Sequence, residues 1–210
     1  AGLPVPAFDA VTIDSGVDDV AAAVAYPVVL KPVGLSGSRG VIRANDAAQL
    51  AAAFRRVSAL LARPEIRAQR TGVERELLIE AFIEGPEYAV EGLLTDGTFT
   101  VLAIFDKPEP LEGPFFEETI YVTPSRASAE VQWAIVDAVG KAAAALGLRH
   151  GPVHAECRVN AAGVYVLEVA ARPIGGLCSR VLRFTGHAGA APVEPPLSLE
   201  NVLLRHALGG

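Results

Sequence analysis

The alternation of apolar and polar residues between positions 153 and 172 constrains the fold more than any other feature. The run "VHAECRVNAAGVYVLEVAAR" indicates two strands joined by the residues 161–163, with Gly163 in the left-handed position of a three-residue loop. Counting back from that loop places Glu156 directly opposite Glu168. Because side chains alternate between the faces of a sheet, this hairpin covers a core on one side only.

The two faces of the predicted hairpin differ in chemistry. Opposed carboxylates repel each other unless a cation lies between them, and oxygen ligands suit Mg²⁺ with bound phosphates. The alternative is a solvated hairpin whose two arginines neutralise the two acids. The predicted polar face carries His154, Glu156, Arg158, Glu168, Ala170 and Arg172, with His154 in a structural role. The predicted apolar face consists of Val153, Ala155, Cys157, Val159, Tyr165, Leu167, Val169 and Ala171.

A second distinctive segment is "VVLKPVGLSGSRGV" (28–41), in which a lysine ends an apolar strand and a glycine-rich loop follows. Its three glycines permit left-handed backbone and a close approach to a ligand. Successive N–H groups in such a loop form a nest for anions, to which Lys31 and Arg39 add positive charge. A phosphate chain is the expected ligand, and an ordinary flexible hairpin is the alternative.

The remaining elements alternate hairpin strands with helices, which indicates an α+β fold with largely antiparallel sheets. The polar stretch 63–75 is expected to be loop, and Trp133 and Leu146 are expected to face the core. The turn "TDG" (95–97) is expected to join two of the strands. Further strands are expected at 27–31, 40–43, 76–82, 87–94 and 98–105. One helix is expected to be capped by Asn45 or Asp46, and others are expected to begin at about Ala129 and Ser198.

Composition excludes several classes of protein. The 210 residues are 51% hydrophobic and carry a formal net charge of −6, which favours a core-rich protein and argues against nucleic-acid binding. No apolar run approaches the roughly 20 residues that span a bilayer, and no secretion signal is visible. We therefore expect a cytoplasmic protein without a membrane partner, with Cys157 and Cys178 reduced. The absence of methionine, even at position 1, suggests a piece of a longer protein.

Taken in order, these motifs resemble the ATP-grasp superfamily, in the carboxylate–amine ligase branch that includes L-amino-acid and D-alanine ligases. "VVLKP" with "GLSGSRGV" resembles the phosphate-binding lysine and flap of that family, "LLIEAFIEGPEYAVEG" its hinge, and "AECRV…VLEVAARPIGG" its metal hairpin. "AIFDKPEPLEGPFFEETIYVTPS" resembles the lysine, mobile loop and Tyr-x-x-Pro segment of the D-alanine ligase branch.

The resemblance implies an ATP-grasp fold in which two lobes with largely antiparallel sheets grip a nucleotide between them. The smaller lobe, with the glycine-rich flap, is expected at 1–80, and the larger lobe, with the metal-binding hairpin, at 81–210. The family pattern also implies a preceding N-terminal domain, and room for a C-terminal part, beyond these 210 residues. Little ligase turnover is therefore expected from the chain alone.

The resemblance further assigns roles to individual residues. Lys31 contacts the α- and β-phosphates, and Glu87 accepts the ribose hydroxyls. Lys107 is the candidate for the γ-phosphate, with a solvated loop lysine as the alternative. The flap consists of Ser36, Gly37, Ser38, Arg39 and Gly40, and backbone groups of Glu80, Ala81, Phe82 and Ile83 receive the adenine edge.

The implied metal site is Mg²⁺ held by Glu156 and Glu168, with Mn²⁺ as an alternative ion. Arg172 contacts the transferred phosphate. The chain departs from the family at Ala170, where an asparagine is common, and this puts the second metal in doubt. Amino-acid ligases of the superfamily also show "AAR" at this point, so the departure does not exclude activity.

The implied function is an ATP- and Mg²⁺-dependent ligase that joins a carboxylate to an amine through an acyl phosphate. The partners are then ATP and small carboxylates and amines, and a homodimer is compatible with this function. Two alternatives stay open: a nucleotide-binding module of a larger synthetase or carboxylase without its own catalysis, and phosphoryl transfer to a group other than a carboxylate. The acidic segment Asp106, Glu109, Glu112, Glu117 and Glu118 suggests an amino acid as the amine, although a solvated loop would look the same.

Overall fold

The computed structural model describes residues 2–68, 72–108, 114–116, 120–186 and 193–209, which form two compact units. The N-terminal unit comprises Pro6–Glu84 together with the described residues of 109–120. The C-terminal unit comprises the chain up to Val5, Gly85–Pro108 and the chain from Tyr121 onward. Each unit has its own four-stranded sheet and its own hydrophobic core.

The N-terminal unit is an antiparallel sheet of order β1-β4-β2-β3 packed against helices. Of the two predicted caps of its longest helix, Asn45 and Asp46, the structure has Asp46, whose side chain accepts a hydrogen bond from the Gln49 N–H. The elements are β1 (Phe8–Thr12), α1 (Val17–Ala23), β2 (Val28–Pro32), β3 (Ile42–Ala44), α2 (Ala47–Leu61), α3 (Pro64–Arg67) and β4 (Glu76–Ala81). The apolar stripe of α2 is buried at Leu50, Phe54, Val57 and Leu61.

The C-terminal unit is an antiparallel sheet of order β6-β5-β7-β8 with a core on each face. Helix α4 packs on one face, and a smaller cluster around Phe105, Ile174 and Leu199 covers part of the other. The elements are β5 (Glu87–Thr95), β6 (Thr98–Lys107), α4 (Ala129–Ala145), β7 (Gly151–Asn160), β8 (Gly163–Ala170), α5 (Gly176–Val181), β9 (Arg183–Phe184), β10 (Leu197–Ser198) and α6 (Leu199–Ala207).

These two antiparallel sheets with their helices confirm the predicted α+β fold. The predicted turn between β5 and β6 is also confirmed: Thr95 pairs with Thr98, and Asp96 and Gly97 both have positive φ, as the tightest hairpin turns require. Within the described residues, no helix combines the length and the apolarity needed to cross a bilayer.

The β7–β8 hairpin reaches its predicted register by a different route. Asn160 pairs with Gly163, so the loop has two residues and the predicted three-residue loop is wrong. A bulge between Glu156 and Cys157 restores the count, because Cys157 pairs with Val166 and Leu167 is the extra residue. Glu156 therefore does lie opposite Glu168, as predicted.

The bulge also changes which residues of β8 face the core. Val164 and Val166 are buried against α4, whereas the alternation had placed Tyr165 and Leu167 on that face. The prediction for β8 was wrong because side chains alternate with a period of two. The extra residue, Leu167, moves the side chains that precede it in β8 to the opposite face of the sheet. The core-facing residues of β7 are as predicted, because Val153, Ala155 and Cys157 are all buried.

Three smaller predictions are also wrong. The stretch 63–75 is not all loop, because Pro64 at the first helical position starts α3. Trp133 is 71% exposed: it precedes the buried Ile135 by two residues, which is about 200° around a helix. Leu146 is exposed as well, because α4 ends just before it and Gly147, with φ of +75°, terminates the helix as predicted.

Two glycines that approach Phe99 provide a test of this packing. A Cβ added at Gly92 in β5 would lie 2.4 Å from Phe99 Cε2 and 2.8 Å from the Thr100 carbonyl oxygen. We expect Gly92→Ala to lower the free energy of unfolding by about 1–3 kcal/mol, because the strand pair cannot yield without moving backbone. Urea denaturation of the two proteins measures the change.

Gly140→Ala is the matched control. Its added Cβ would meet Phe99 Cβ at 3.5 Å, an ordinary contact, and alanine favours the interior of α4 by about 0.5–1 kcal/mol. This variant should be as stable as the unchanged chain or more stable. A Gly92→Ala protein that unfolds at the same urea concentration as Gly140→Ala would contradict the described packing of Phe99.

Candidate active site

One face of the C-terminal sheet gathers ionisable side chains in rows that cross the strands. In the first row Glu87 pairs with Lys107 on β6 and with Arg158 on β7. In the second row Glu156 pairs with Glu168. In the third row His154 pairs with Glu91 on one side and with Ala170 on the other. Directly paired residues project to the same side of a sheet, so the rows form one polar face.

The first two rows are joined by hydrogen bonds. The Lys107 ammonium donates to Glu87 Oε1 and lies 3.3 Å from Glu156 Oε1. Arg158 Nε donates to Glu87 Oε2 at 2.8 Å. The hydroxyl of Tyr121 lies 3.5 Å from the same Glu156 oxygen that Lys107 approaches. The structure thus brings together three of the predicted site residues, Lys107, Glu87 and Glu156.

The electrostatics of this face follow from burial and from the neighbouring charges. Burial disfavours the charged carboxylate of Glu87, but Lys107 and Arg158 outweigh this effect and lower its pKa. Burial likewise disfavours the charged form of Lys107, and the carboxylates of Glu156 and Glu87 outweigh it and raise its pKa. Lys107 therefore stays charged at neutral pH.

Glu156 has the opposite shift to Glu87. Burial raises the pKa of Glu156, Lys107 opposes that change, and the negative charges of Glu87 and Glu168 add to it. The burial of Cys157 itself, together with the negative charges of Glu87 and Glu156 nearby, raises the pKa of its thiol to about 12. Independently of these shifts, the first two rows together carry three carboxylates, those of Glu87, Glu156 and Glu168, and two cations, Lys107 and Arg158.

The carboxylates of Glu156 and Glu168 fit a divalent metal ion shared with phosphates. They are directly opposed, their ligand atoms are all oxygens, and a dication would relieve the excess negative charge around Glu156. No cluster of three or more histidine, cysteine or acidic side chains with metal-binding geometry occurs in the described part of the chain. Two carboxylates would leave positions for phosphate oxygens and water, the arrangement that Mg²⁺ prefers.

Arg172 lies in the segment that follows β8. Its side chain is exposed, and its Nη1 donates to the neighbouring Pro173 carbonyl oxygen at 3.1 Å. Ala170, which stands where the family commonly has asparagine, ends β8 opposite His154. The interaction of Arg172 with a phosphate therefore stays a prediction.

In the N-terminal unit, Lys31 lies at the end of β2, and its Nζ is 2.7 Å from Glu80 Oε1 on β4. The glycine-rich loop follows, with positive φ at Gly37, Ser38 and Gly40. Arg39 Nε donates to the Ser36 carbonyl oxygen at 3.3 Å. Glycine composition does not predict the left-handed Ser38, and Gly34 is not left-handed. Phosphate binding by these residues stays a prediction.

The segment assigned to the adenine edge begins at the end of β4 and continues beyond it. The Ala81 N–H donates to the Ala7 carbonyl oxygen at 2.8 Å, and the Phe82 N–H donates to that of Pro27 at 3.0 Å. The guanidinium of Arg43 lies 4.0 Å from the centre of the Phe82 ring. The roles of Glu80 and Ile83 toward a nucleotide likewise remain predictions.

Sequence reasoning missed two features of the polar face. Tyr121 was noted only within the Tyr-x-x-Pro pattern, yet its hydroxyl reaches Glu156 and its ring lies 5.2 Å from Lys107 Nζ. Glu91 was expected to face the region of the acidic segment, but its complete burial was missed, although an acid inside the apolar run "YAVEGLL" was an available signal. Within the acidic segment, Asp106 accepts hydrogen bonds from Ser125 and from the Arg126 N–H, while Glu109, Glu112, Glu117 and Glu118 lie outside the described residues.

Comparison with known proteins supports a single family. A family profile described as "ATP-grasp domain" matches residues 24–181. Dapdiamide A synthase of Enterobacter agglomerans is 31% identical over 193 residues, which cover 88% of this chain and 43% of that protein. D-alanine–D-alanine ligase of Aromatoleum aromaticum is 30% identical over 176 residues, which cover 82% of this chain and 52% of that protein.

A solved structure gives the same result. The crystal structure of L-amino acid ligase from Bacillus licheniformis aligns with a TM-score of 0.76 and 33% identity, over 99% of this chain and 46% of that chain. The chain therefore spans about half the length of these relatives. The resemblance inferred from the motifs is confirmed, and the chain belongs to the ATP-grasp family.

Proposed function

We propose that this chain is the nucleotide-binding part of an ATP- and Mg²⁺-dependent ligase that joins a carboxylate to an amine. The observation that carries the proposal is the opposed pair of Glu156 and Glu168 on a polar face that also holds Lys107. Similarity to an L-amino acid ligase, a D-alanine–D-alanine ligase and dapdiamide A synthase over 82–99% of the chain supports it. The N-terminal and C-terminal units then correspond to the smaller and larger lobes expected at 1–80 and 81–210.

In this proposal each side chain has an electrostatic task. Lys31 and the loop 36–40 hold the phosphates of ATP, and Glu87 accepts the ribose hydroxyls. Glu156 and Glu168 would hold Mg²⁺, which would supply Lewis-acid neutralisation of phosphate charge. Lys107, whose charge is secured by Glu156 and Glu87, stabilises the γ-phosphoryl group during its transfer. Arg172 contacts the same group from the segment after β8.

The chemistry proceeds in two balanced steps. A carboxylate oxygen of the substrate attacks the γ-phosphorus, the bond to the bridging oxygen breaks, and ADP leaves with that electron pair. The nitrogen of the amine then attacks the acyl carbon, the bond to the phosphate oxygen breaks, and the nitrogen loses a proton to solvent. The products are an amide, ADP and phosphate. Both steps need charge neutralisation and alignment, which the polar face supplies.

The proposed substrates are amino acids. The relatives include an L-amino acid ligase and a D-alanine–D-alanine ligase, and this likeness supports an amino-acid carboxylate. For the amine, the proposal keeps Glu117 and Glu118 as groups that attract an ammonium. Mn²⁺ is proposed as a substitute for Mg²⁺ because both ions favour carboxylate and water ligands. A cytoplasmic location, a homodimer and the absence of nucleic-acid partners complete the proposal.

Metal-dependent nucleotide binding tests the carboxylate pair. We expect the chain to bind ADP more tightly with Mg²⁺ than with a chelator, as measured by calorimetry. Glu168→Gln should remove that difference, because the metal loses one of two protein ligands. Mutating a group that only hydrogen-bonds a metal ligand typically lowers metal affinity by roughly 10- to 100-fold. Removing a ligand itself should lower the affinity for Mg²⁺ by at least as much.

Glu130→Gln is the matched control for that variant. It removes the same charge from α4, which packs on the opposite face of the same sheet, and it should leave the Mg²⁺ dependence intact. Equal ADP affinity with Mg²⁺ and with chelator in the unchanged chain would refute the metal site.

Turnover tests the reaction class. In the full-length gene product that contains these residues, we expect phosphate release from ATP to require both an amino-acid carboxylate and an amine. Lys107→Met should lower kcat by about 100-fold or more, the usual effect of losing one donor to the developing charge. Coupled phosphate detection over a panel of amino-acid pairs provides the measurement.

Lys141→Met serves as the control in the turnover assay. Lys141 pairs with Asp137 on the exposed surface of α4, so its loss should leave kcat unchanged. Circular dichroism and ADP binding confirm that Lys107→Met is folded. Phosphate release that proceeds at full rate without an amine, or in the folded Lys107→Met protein, would overturn the ligase proposal.

A further inference from the structure

We infer that Glu91 is a positioning residue, which fixes the segment carrying Arg172 through a buried hydrogen bond to Ile174 and a contact with His154. The inference rests on the proposed function for the role of Arg172 in phosphoryl transfer. The buried hydrogen bond itself belongs to the fold and can be tested without turnover.

The contact joins distant parts of the chain. Glu91 Oε2 accepts a hydrogen bond from the Ile174 N–H at 2.8 Å, across 83 positions of sequence. The same oxygen lies 3.4 Å from His154 Nδ1 on the neighbouring strand. Glu91 has no exposed surface, and His154 is 6% exposed. Water competes little for this hydrogen bond, which strengthens it.

The segment around Arg172 is fixed on both sides by this pair. Two residues before Arg172, Ala170 ends β8 in register with His154. Two residues after Arg172, Ile174 donates to Glu91. The side chain of Ile174 is also buried among Ala89, Phe105, Leu182 and Leu199. Because the Arg172 side chain is exposed and bonds to its own neighbour, the backbone on either side sets where the guanidinium points.

The cost of this arrangement argues against a purely structural role. Glu91 Oε1 and His154 Nδ1 are both buried without a hydrogen-bond partner among the described residues. Burying such groups without partners disfavours folding. Replacing them with apolar residues of similar size often leaves the stability of the folded protein unchanged or raises it. An apolar pair would keep the core but would leave the Ile174 N–H without an acceptor. We therefore assign the carboxylate of Glu91 to fixing the segment around Arg172 rather than to stabilising the core.

Two variants of similar size separate the acceptor from the packing. Glu91→Leu removes the acceptor, and Glu91→Gln keeps one. In the full-length gene product we expect Glu91→Leu to lower kcat by about 100-fold, as small displacements of a catalytic group do, with the KM for ATP little changed. Glu91→Gln should recover most of that loss. A Gln variant as slow as the Leu variant would contradict the role of the acceptor.

A double-mutant cycle ties the effect to Arg172. If Glu91 acts by positioning Arg172, adding Glu91→Leu to Arg172→Ala should change kcat by no more than about twofold. If the two losses multiply instead, Glu91 acts on something else and the inference fails.

Hydrogen exchange tests the buried bond independently of catalysis. The Ile174 amide should exchange slowly in the unchanged chain and at least tenfold faster in Glu91→Leu, on a scale where 1.4 kcal/mol corresponds to about tenfold. Rapid exchange in the unchanged chain overturns the inference even where Glu91→Leu does not fold. If Arg172→Ala leaves kcat unchanged, the proposed role of Arg172 fails, and the exchange rates alone decide whether Glu91 holds the segment.

Discussion

The repulsion between Glu156 and Glu168 is the constraint around which the C-terminal unit is arranged. Two carboxylates in one cross-strand pair destabilise a sheet unless positive charge is close. Here Lys107 approaches from β6, although β5 lies between β6 and β7, and Arg158 binds the neighbouring Glu87. This strand order therefore allows one lysine to contact carboxylates on two other strands, Glu87 on β5 and Glu156 on β7.

Burial makes this arrangement sensitive to each member. Glu87 accepts from both Lys107 and Arg158, so its charge is favoured, whereas Glu156 shares one cation with it and has a raised pKa. The face therefore contains one carboxylate with two cationic donors, Glu87, and one whose charged form is disfavoured mainly by burial, Glu156. Perturbed pKa values of this kind cluster at functional sites, and here they arise from the positions of three strands rather than from any loop.

The sequence predicted the antiparallel sheets, the long helices and the opposition of Glu156 and Glu168, because alternation and helical periodicity report burial directly. It did not predict the bulge beside Cys157, since an extra residue in β8 offsets a loop that is one residue shorter and leaves the same count. The contact of Tyr121 with Glu156 and that of Glu91 with Ile174 were not predicted, because they span 35 and 83 positions of sequence and local patterns do not report such distant contacts.

The exposed indole of Trp133 has a practical consequence for spectroscopy. It is the single tryptophan of the chain, and it lies on α4, across the sheet from the polar face. Because the indole is mostly exposed, we expect its emission to be close to that of indole in water, so that unfolding shifts the wavelength little and ligands at the polar face scarcely affect it. A tryptophan introduced in place of Tyr121, whose ring contacts Phe105 and lies beside Lys107, would instead give an optical signal from the site itself.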